Sequence, residues 1–445
     1  MPSLLHKLQC SAYSCYTRNA RGCADHEPNQ RRRAAVTTAR FQSGIFRALT
    51  ASQRTLAFQP PDTACGESLF LLECVRHFFR PESLLAIPSN LDWTKLLALA
   101  REHSVEPLIS SALHQTGTFA IPQTILDTLQ QGARERAFSN LLYCAELAKI
   151  LALLENAAID VRVLKGPVLA EMLYGNIAMR SFGDLDLLVH PQDLIPTKNA
   201  LEAGGYTLTS SLHWHSNSAL LRARECQLSF ENSRGISVDV HWQLIPDYFP
   251  KPFEENQAWA DHLGVSVGGA TAWTLSQENL LLFLCAHGAQ HMWMRLGWIC
   301  DVARLIQVAP KMDWRSVFAQ ASQTSTTRML SLGLILAADL LAGEFPPEAK
   351  ERIASDSRAQ DLAVAIRKRY LHCAPSLALA FESERLVVHT FDRTRHRLRY
   401  RFGTLVGPSE AEYRALQLPP ALFTLYYVFR PLRLSAKYLG RMLGL

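Results

Sequence analysis

Between Gly66 and Ala158, apolar residues recur at spacings of three and four. Leu69, Leu72, Val75 and Phe78 (with Phe79) are followed by Leu96, Leu97 and Leu99, then by the run 140–154. That period predicts amphipathic helices, one of them opened by Asp92 as an N-cap ahead of Trp93. At Ile159 the period changes. Ile159–Leu164 alternates and is β-branched, which predicts a strand. Gly166–Tyr174 predicts a short helix, Asp184–Val189 a second strand, and Pro191–Ala203 a helix ended by Gly204-Gly205. Leu220–Phe230 and Ile236–Trp242 read as two strands of a hairpin joined by Glu-Asn-Ser-Arg-Gly. Beyond Pro250 the helical period returns in Glu278–Trp293, Trp298–Val308, Trp314–Ser322 and Arg328–Ala342.

The pattern predicts an α+β protein, with a small mixed β-sheet unit embedded between N- and C-terminal helical regions. Five stretches follow: a basic leader over 1–60, read as disordered; helices over 61–158; the sheet unit over 159–250; a helical domain over 251–384; and a basic helical segment over 385–445. The leader holds Arg31-Arg32-Arg33 and scattered Ser and Thr, ends at Pro60-Pro61, and shows no core-forming period.

With 48% apolar and 19% charged residues, the 445-residue chain can bury a sizeable core. Collagen-like repeats, low-complexity fibres and small disulfide scaffolds are excluded. The net charge of +6 suggests a nucleic-acid binder only until it is divided by region. Residues 1–59 carry nine basic and two acidic residues, and residues 385–445 eleven basic and three acidic. The remaining 60–384 hold 26 basic against 35 acidic residues, so the body is acidic and the ends are basic. Ten cysteines with no CxxC pair predict a reduced, cytoplasmic setting. No apolar run reaches the roughly 18–20 residues of a spanning helix, since Pro419 and Pro420 interrupt Ala415–Phe429.

The chemistry concentrates in Arg180-Ser-Phe-Gly-Asp184-Leu-Asp186-Leu-Leu-Val189. On a strand, residues two apart share a face, so Asp184 and Asp186 present adjacent carboxylates. Such a pair repels unless a cation lies between, and oxygen ligands of this kind suit Mg²⁺ bridging substrate phosphates. Asp239 and His241 share a face of Val238-Asp-Val-His-Trp242, and pairing of the two strands would make Asp239 a third carboxylate. Upstream, Val163-Leu-Lys165-Gly166-Pro167 ends a strand and opens a helix, where backbone N–H groups and a lysine can cradle phosphate.

These segments resemble the nucleotidyltransferase superfamily that shares the polymerase-β palm. More narrowly, they are similar to the bacterial uncharacterised nucleotidyltransferases, a likeness carried by 164–174, 180–189, 238–242, His287-Gly-Ala-Gln-His291-Met-Trp293 and Trp298–Asp301. The ending Tyr426–Leu434 matches as well, so the likeness covers about residues 65–440. The resemblance implies Mg²⁺-dependent transfer of a nucleoside monophosphate from an NTP to an acceptor, with release of pyrophosphate. Asp184, Asp186 and Asp239 would be the catalytic metal ligands of a two-metal site. Lys165, Gly166, Arg180 and Ser181 would bind the nucleotide. The motif departs from the superfamily at Gly166, which is followed by a proline without an N–H and lies 18 residues before Asp184.

His241, His287 and His291 are candidates for the substrate pocket. His287 and His291 share a helix face, which also leaves zinc open, although the Glu of H-E-x-x-H is missing. Arg295 and Asp301 are placed to pair across the next turn. The sequence leaves the acceptor open among small molecule, glycan and protein, with nucleic acid disfavoured. The basic-aromatic C-terminal segment reads either as a peripheral membrane helix or as a closing helix with solvated arginines. Two further functions stay in view: a metal-dependent glycosyltransferase using the D-x-D on a nucleotide-sugar, and a non-catalytic nucleotide-binding adaptor.

Overall fold

The computed structural model describes residues 65–115, 121–209, 226–341, 345–371, 386–408, 412, 415–416 and 418–442. The chain divides into Met1–Ala57 and Phe58–Leu445, and every described residue belongs to the second unit. The expected leader over 1–60 lies outside the described residues, as does the start of the expected strand at 220–225.

Four helices open the unit: α1 (Gly66–Phe79), α2 (Trp93–Glu102), α3 (Glu106–Gln115) and α4 (Gln123–Asn156). Asp92 caps α2 as its composition predicts, accepting from the Lys95 N–H. A five-stranded sheet follows, built from β1 (Val161–Val163), β2 (Asp184–Val189), β3 (Tyr206–Leu208), β4 (Gln227–Asn232) and β5 (Ser237–His241) in the order β1-β2-β5-β4-β3. Only β2 and β5 run parallel; β1-β2, β5-β4 and β4-β3 are antiparallel, so the sheet is mixed. Helices α5 (Pro167–Tyr174) and α6 (Leu194–Ala203) connect its strands.

A short helix α7 (Gln257–Ala260) leads into a hairpin that the helical reading of this region misses: β6 (His262–Val267) paired with β7 (Ala270–Leu275). Its signal is Gly268-Gly269, both at positive φ, which is the chemistry of a tight hairpin turn. Helices α8 (Gln277–Gln290), α9 (Leu296–Val308), α10 (Trp314–Thr324), α11 (Thr327–Leu341), α12 (Pro347–Ser355) and α13 (Ser357–Leu371) follow. α14 (Thr394–Val406) and α15 (Tyr426–Met442) end the described chain.

Two apolar cores result. One lies between the sheet and α4 and α6, through Leu147, Ile150, Leu154, Leu185, Leu187, Val238 and Val240. The other joins α1–α3 to α8–α13 and takes in Leu164, Leu169, Leu188 and Leu244 from the sheet unit. Strand β2 therefore alternates between cores, Leu185 and Leu187 facing one and Leu188 the other. Asp184 and Asp186 share the face that looks toward the helical core. Sequence from both sides of the sheet unit closes over that face, which leaves Asp186 only 3% exposed.

Helix α4 is long and apolar enough by length and composition to cross a membrane, the one such helix among the described residues. Its apolar positions pack on the sheet, and its buried Glu146 accepts from Tyr206 and Asn232. Of the six described cysteines, Cys74, Cys144, Cys226, Cys285 and Cys300 are free. Cys65 is disulfide-bonded, which departs from the fully reduced expectation.

The helical core is tightest where α8 and α11 meet. A Cβ on Gly288 would lie 2.5 Å from the Trp293 ring, and Trp293 is 1% exposed. Gly333 also closes on the ring, where a Cβ would lie 2.9 Å from it. Gly288→Ala is therefore expected to lose about 1–3 kcal/mol of stability through overpacking, measured by urea unfolding. An unchanged midpoint would mean that the ring has room to move.

His103 ends α2 with its ring 5.1 Å from that of Tyr370 and its Nδ1 buried without a hydrogen-bond partner. Burial pulls the ring down to about 4 from its ordinary value of 6.5. Its contribution to stability is thus present above pH 6.5 and is lost as the pH falls through about 4, since the unfolded chain takes up the proton first. The loss is about 3 kcal/mol at its limit. His103→Phe is expected to flatten the pH-dependence of the thermal midpoint between pH 6.5 and 4, and an unaltered slope would refute this.

Candidate active site

Pairing of β2 with β5 places Asp186 beside Asp239 and Leu188 beside His241. Asp239 and His241 thus lie on the Asp186 face, and ligand atoms of the three side chains fall within 4.8 Å of one another. Asp184 stands one position ahead on the same face, half-buried at the start of the strand. It pairs with Ser237 in register. The tight group is therefore two carboxylates and an imidazole, with the third carboxylate at its margin.

Lys165 reaches the group from the turn after β1. Gly166 shapes that turn at φ +64°, and a Cβ there would come 3.2 Å from the Asp184 carbonyl oxygen. The Lys165 ammonium lies 3.1 Å from Asp186 Oδ1, and His241 Nε2 lies 3.1 Å from the same oxygen. Burial opposes the charge on Asp186, but the lysine and the imidazole outweigh it and hold the carboxyl far below the usual range. Burial likewise works against a charged His241. The Asp186 carboxylate, with help from Cys226, prevails and lifts the ring to about 9. Asp184 moves the other way, raised by burial and by the charge of Asp186.

Asp239 is oriented from the neighbouring strand. Ser229 donates to its Oδ1 at 2.6 Å and Gln227 to its Oδ2 at 2.7 Å. Neither residue stands out in the sequence. The available signal was the hairpin register, which sets Ser229 directly across from Asp239.

Helix α4 fixes the loop that leads into β2. Asn140 donates to the Arg180 carbonyl at 3.0 Å, and the Tyr143 hydroxyl to the Gly183 carbonyl at 2.6 Å. The Arg180 guanidinium grips the buried Asp301 of α9 with two nitrogens, at 2.9 and 3.1 Å. Tyr174 donates to the same carboxylate at 3.1 Å. The expected Arg295–Asp301 pair does not form, because the nearer strong donor comes from the sheet unit; Arg295 lies instead over the Trp298 ring at 5.7 Å.

Ser181, Arg180, Tyr174, Arg295, Trp298 and Asp301 line a small open cleft, with a volume of about 40 Å³, together with Ser104 and Gly297. His287 and His291 meet edge to face at 4.7 Å, and both meet the Trp298 ring, at 5.3 and 5.4 Å. Burial, then the charges of Lys165 and His291, hold His287 well below its ordinary value. Burial, Lys165 and Arg295 bring His291 down to about 4. Both rings are thus neutral at pH 7, and both feel the Lys165 charge, so they border the acidic group. They are not part of the metal-capable group among the described residues.

A family model described as uncharacterised nucleotidyltransferase matches residues 89–342. The chain belongs to this family. The match runs from α2 through the whole sheet to α11, so the family unit contains both the acidic group and the helices that cover it. No curated protein and no solved structure matches the chain. Family membership supports a nucleotidyltransferase-like role and implies a nucleotide as substrate.

The group also fits a divalent cation on its own chemistry. The Asp186 and Asp239 carboxylates are oxygen donors of the kind that Mg²⁺ or Mn²⁺ takes, with Asp184 at their margin; His241, which carries its proton against Asp186, would join them only after losing it. A lysine ammonium rests on Asp186 Oδ1, where positive charge is evidently accommodated.

Proposed function

We propose that the protein is a divalent-metal-dependent nucleotidyltransferase that moves a nucleoside monophosphate from an NTP to an acceptor hydroxyl and releases pyrophosphate. The observation that carries this reading is the convergence of Asp186, Asp239 and His241 within 4.8 Å on the family's sheet, with Asp184 at their margin. Asp186 and Asp239, joined by Asp184, would hold Mg²⁺. When bound, the cation shields the triphosphate and braces the oxygens of an in-line displacement.

The chain's own residues divide the remaining work. Lys165 sits where it can pair with the triphosphate, since its ammonium needs only to turn from Asp186 toward an incoming phosphate. Ser181 and the N–H groups of the Arg180–Gly183 loop add donors, and α4 holds that loop in place before any ligand arrives. Arg180 contributes positive potential, while Asp301 fixes its position. Trp298, with Arg295 beside its ring, offers an aromatic surface for a base, and neutral His287 and His291 lie against that ring. Asp239, held by Ser229 and Gln227, would take a proton from the acceptor hydroxyl. The acceptor is a small molecule, a glycan or a protein, and the cell compartment we assign is the cytoplasm.

The test is direct. Purified protein is incubated with each of four labelled NTPs and Mg²⁺ or Mn²⁺, and pyrophosphate release and self-labelling are followed. Metal-dependent release from at least one NTP is expected. Turnover of a UDP-sugar with no NTP turnover would replace this reading by the glycosyltransferase. Tight NTP binding without turnover across acceptor mixtures would replace it by the adaptor.

A further inference from the structure

Half of the large apolar side chains exposed among the described residues lie between positions 398 and 432, the segment formed by α14, α15 and the turn between them. On α14, Leu398, Phe402 and Leu405 are 61%, 66% and 56% exposed. At about 100° per residue they form one stripe. Tyr400 and Gly403 lie on the opposite side, and that side is packed: the Tyr400 ring is 5.3 Å from Phe249, and Gly403 abuts Tyr248. The stripe is thus the outer face of a docked helix. On the same helical projection Arg401 flanks it on one side and Arg395 and Arg399 on the other. All three are exposed, and none has a carboxylate partner among the described residues. Burial, then the charges of Arg395, Arg393 and Arg399, depress the His396 ring.

Helix α15 extends this surface. It is tied to α14 by Arg430, which donates to the Thr404 carbonyl at 2.8 and 3.0 Å, and it exposes Val428 and Leu432 by 62% and 64%. Buried Glu412 accepts from both Arg430 and Arg433, so the pair of helices is braced internally rather than by the surface it presents.

We infer that α14 and α15 dock on the surface of an anionic lipid bilayer. Charge decides among the occupants. Residues 385–445 hold eleven basic and three acidic residues, and the chain's own first 59 hold nine and two, so that segment is repelled. A second copy would bring the same cations face to face. A nucleic acid would satisfy the guanidinium groups but leave the leucines and Phe402 in water. Lipid phosphates and acyl chains answer both halves of the pattern, an apolar stripe with arginines along its flanks.

Co-sedimentation of the full-length protein with vesicles tests this. Vesicles of phosphatidylcholine with phosphatidylglycerol are expected to bind it at least about tenfold more tightly than pure phosphatidylcholine. Phe402→Glu and the double variant Arg395→Glu/Arg399→Glu are each expected to weaken binding about tenfold or more. Phe138→Glu, an exposed apolar site on α4, is expected to change nothing. All four positions are exposed, and unchanged melting curves are expected to confirm intact folds. Absence of vesicle binding would overturn the inference. So would binding that survives Phe402→Glu, tighter binding to duplex nucleic acid that ignores Phe402→Glu, or a dimer of the wild type that Phe402→Glu dissociates.

Discussion

Asp186→Asn is expected to lower nucleotide turnover on the order of 10³-fold and to destabilise the fold at the same time. The amide keeps the shape of the side chain but removes the charge that Lys165 and His241 share on Oδ1. Both cationic partners are buried or nearly so, and breaking such a pair from one side costs about 3–5 kcal/mol. Asp239→Asn separates the two effects. Its carboxylate is half-buried and accepts from the neutral donors Ser229 and Gln227, so no buried cation is orphaned. It is expected to lose turnover to a similar degree with a much smaller drop in unfolding free energy. Adding Lys165→Met to Asp186→Asn should restore part of the lost stability and none of the turnover, since the uncompensated ammonium is gone while the carboxylate is still absent. Full turnover in either single variant would remove the acidic group from the chemistry.

The D-x-D strand was readable because a period of two fixes faces without reference to the rest of the fold. Asp184 and Asp186 share a face, Leu185 and Leu187 lie opposite, and the fold agrees. The convergence of Asp239 and His241 depended on a pairing between strands about fifty residues apart, which the sequence could only pose as a condition. The parallel register supplies it. What stayed hidden depends on contacts without local signature. Asp301 and Arg295 lie six residues apart, close enough in sequence to suggest a pair across one turn. Its partner is Arg180, more than a hundred residues earlier, because the loop before β2 lies against α9. Gln227 and Ser229 are ordinary strand residues until the hairpin sets them beside Asp239. The hairpin β6-β7 was hidden for the opposite reason: its alternation is weak, and only the glycine pair at 268–269 marks it.

Asp301→Ala is expected to be among the most damaging single substitutions away from the acidic group. The carboxylate is 2% exposed and binds the Arg180 guanidinium through two nitrogens and the Tyr174 hydroxyl through one oxygen. Burial and the nearby Asp301 charge hold that hydroxyl protonated well above its ordinary value, so it serves as a donor. Truncation leaves a buried guanidinium and a phenol facing nothing, at a cost of about 3–5 kcal/mol. For a chain of this size that is a fall in the melting midpoint of roughly 4–6 °C. The double variant Arg180→Met/Asp301→Leu fills the same space without charge and is expected to regain most of the lost stability. Turnover then distinguishes two roles for Arg180. If the arginine only pins the loop ahead of β2, the repacked variant should also regain turnover. If its charge acts on the triphosphate across the cleft, the variant should be stable yet show a raised KM for NTP. The second outcome is expected, because Arg180 lines the cleft and its charge is felt by both Asp184 and Asp186.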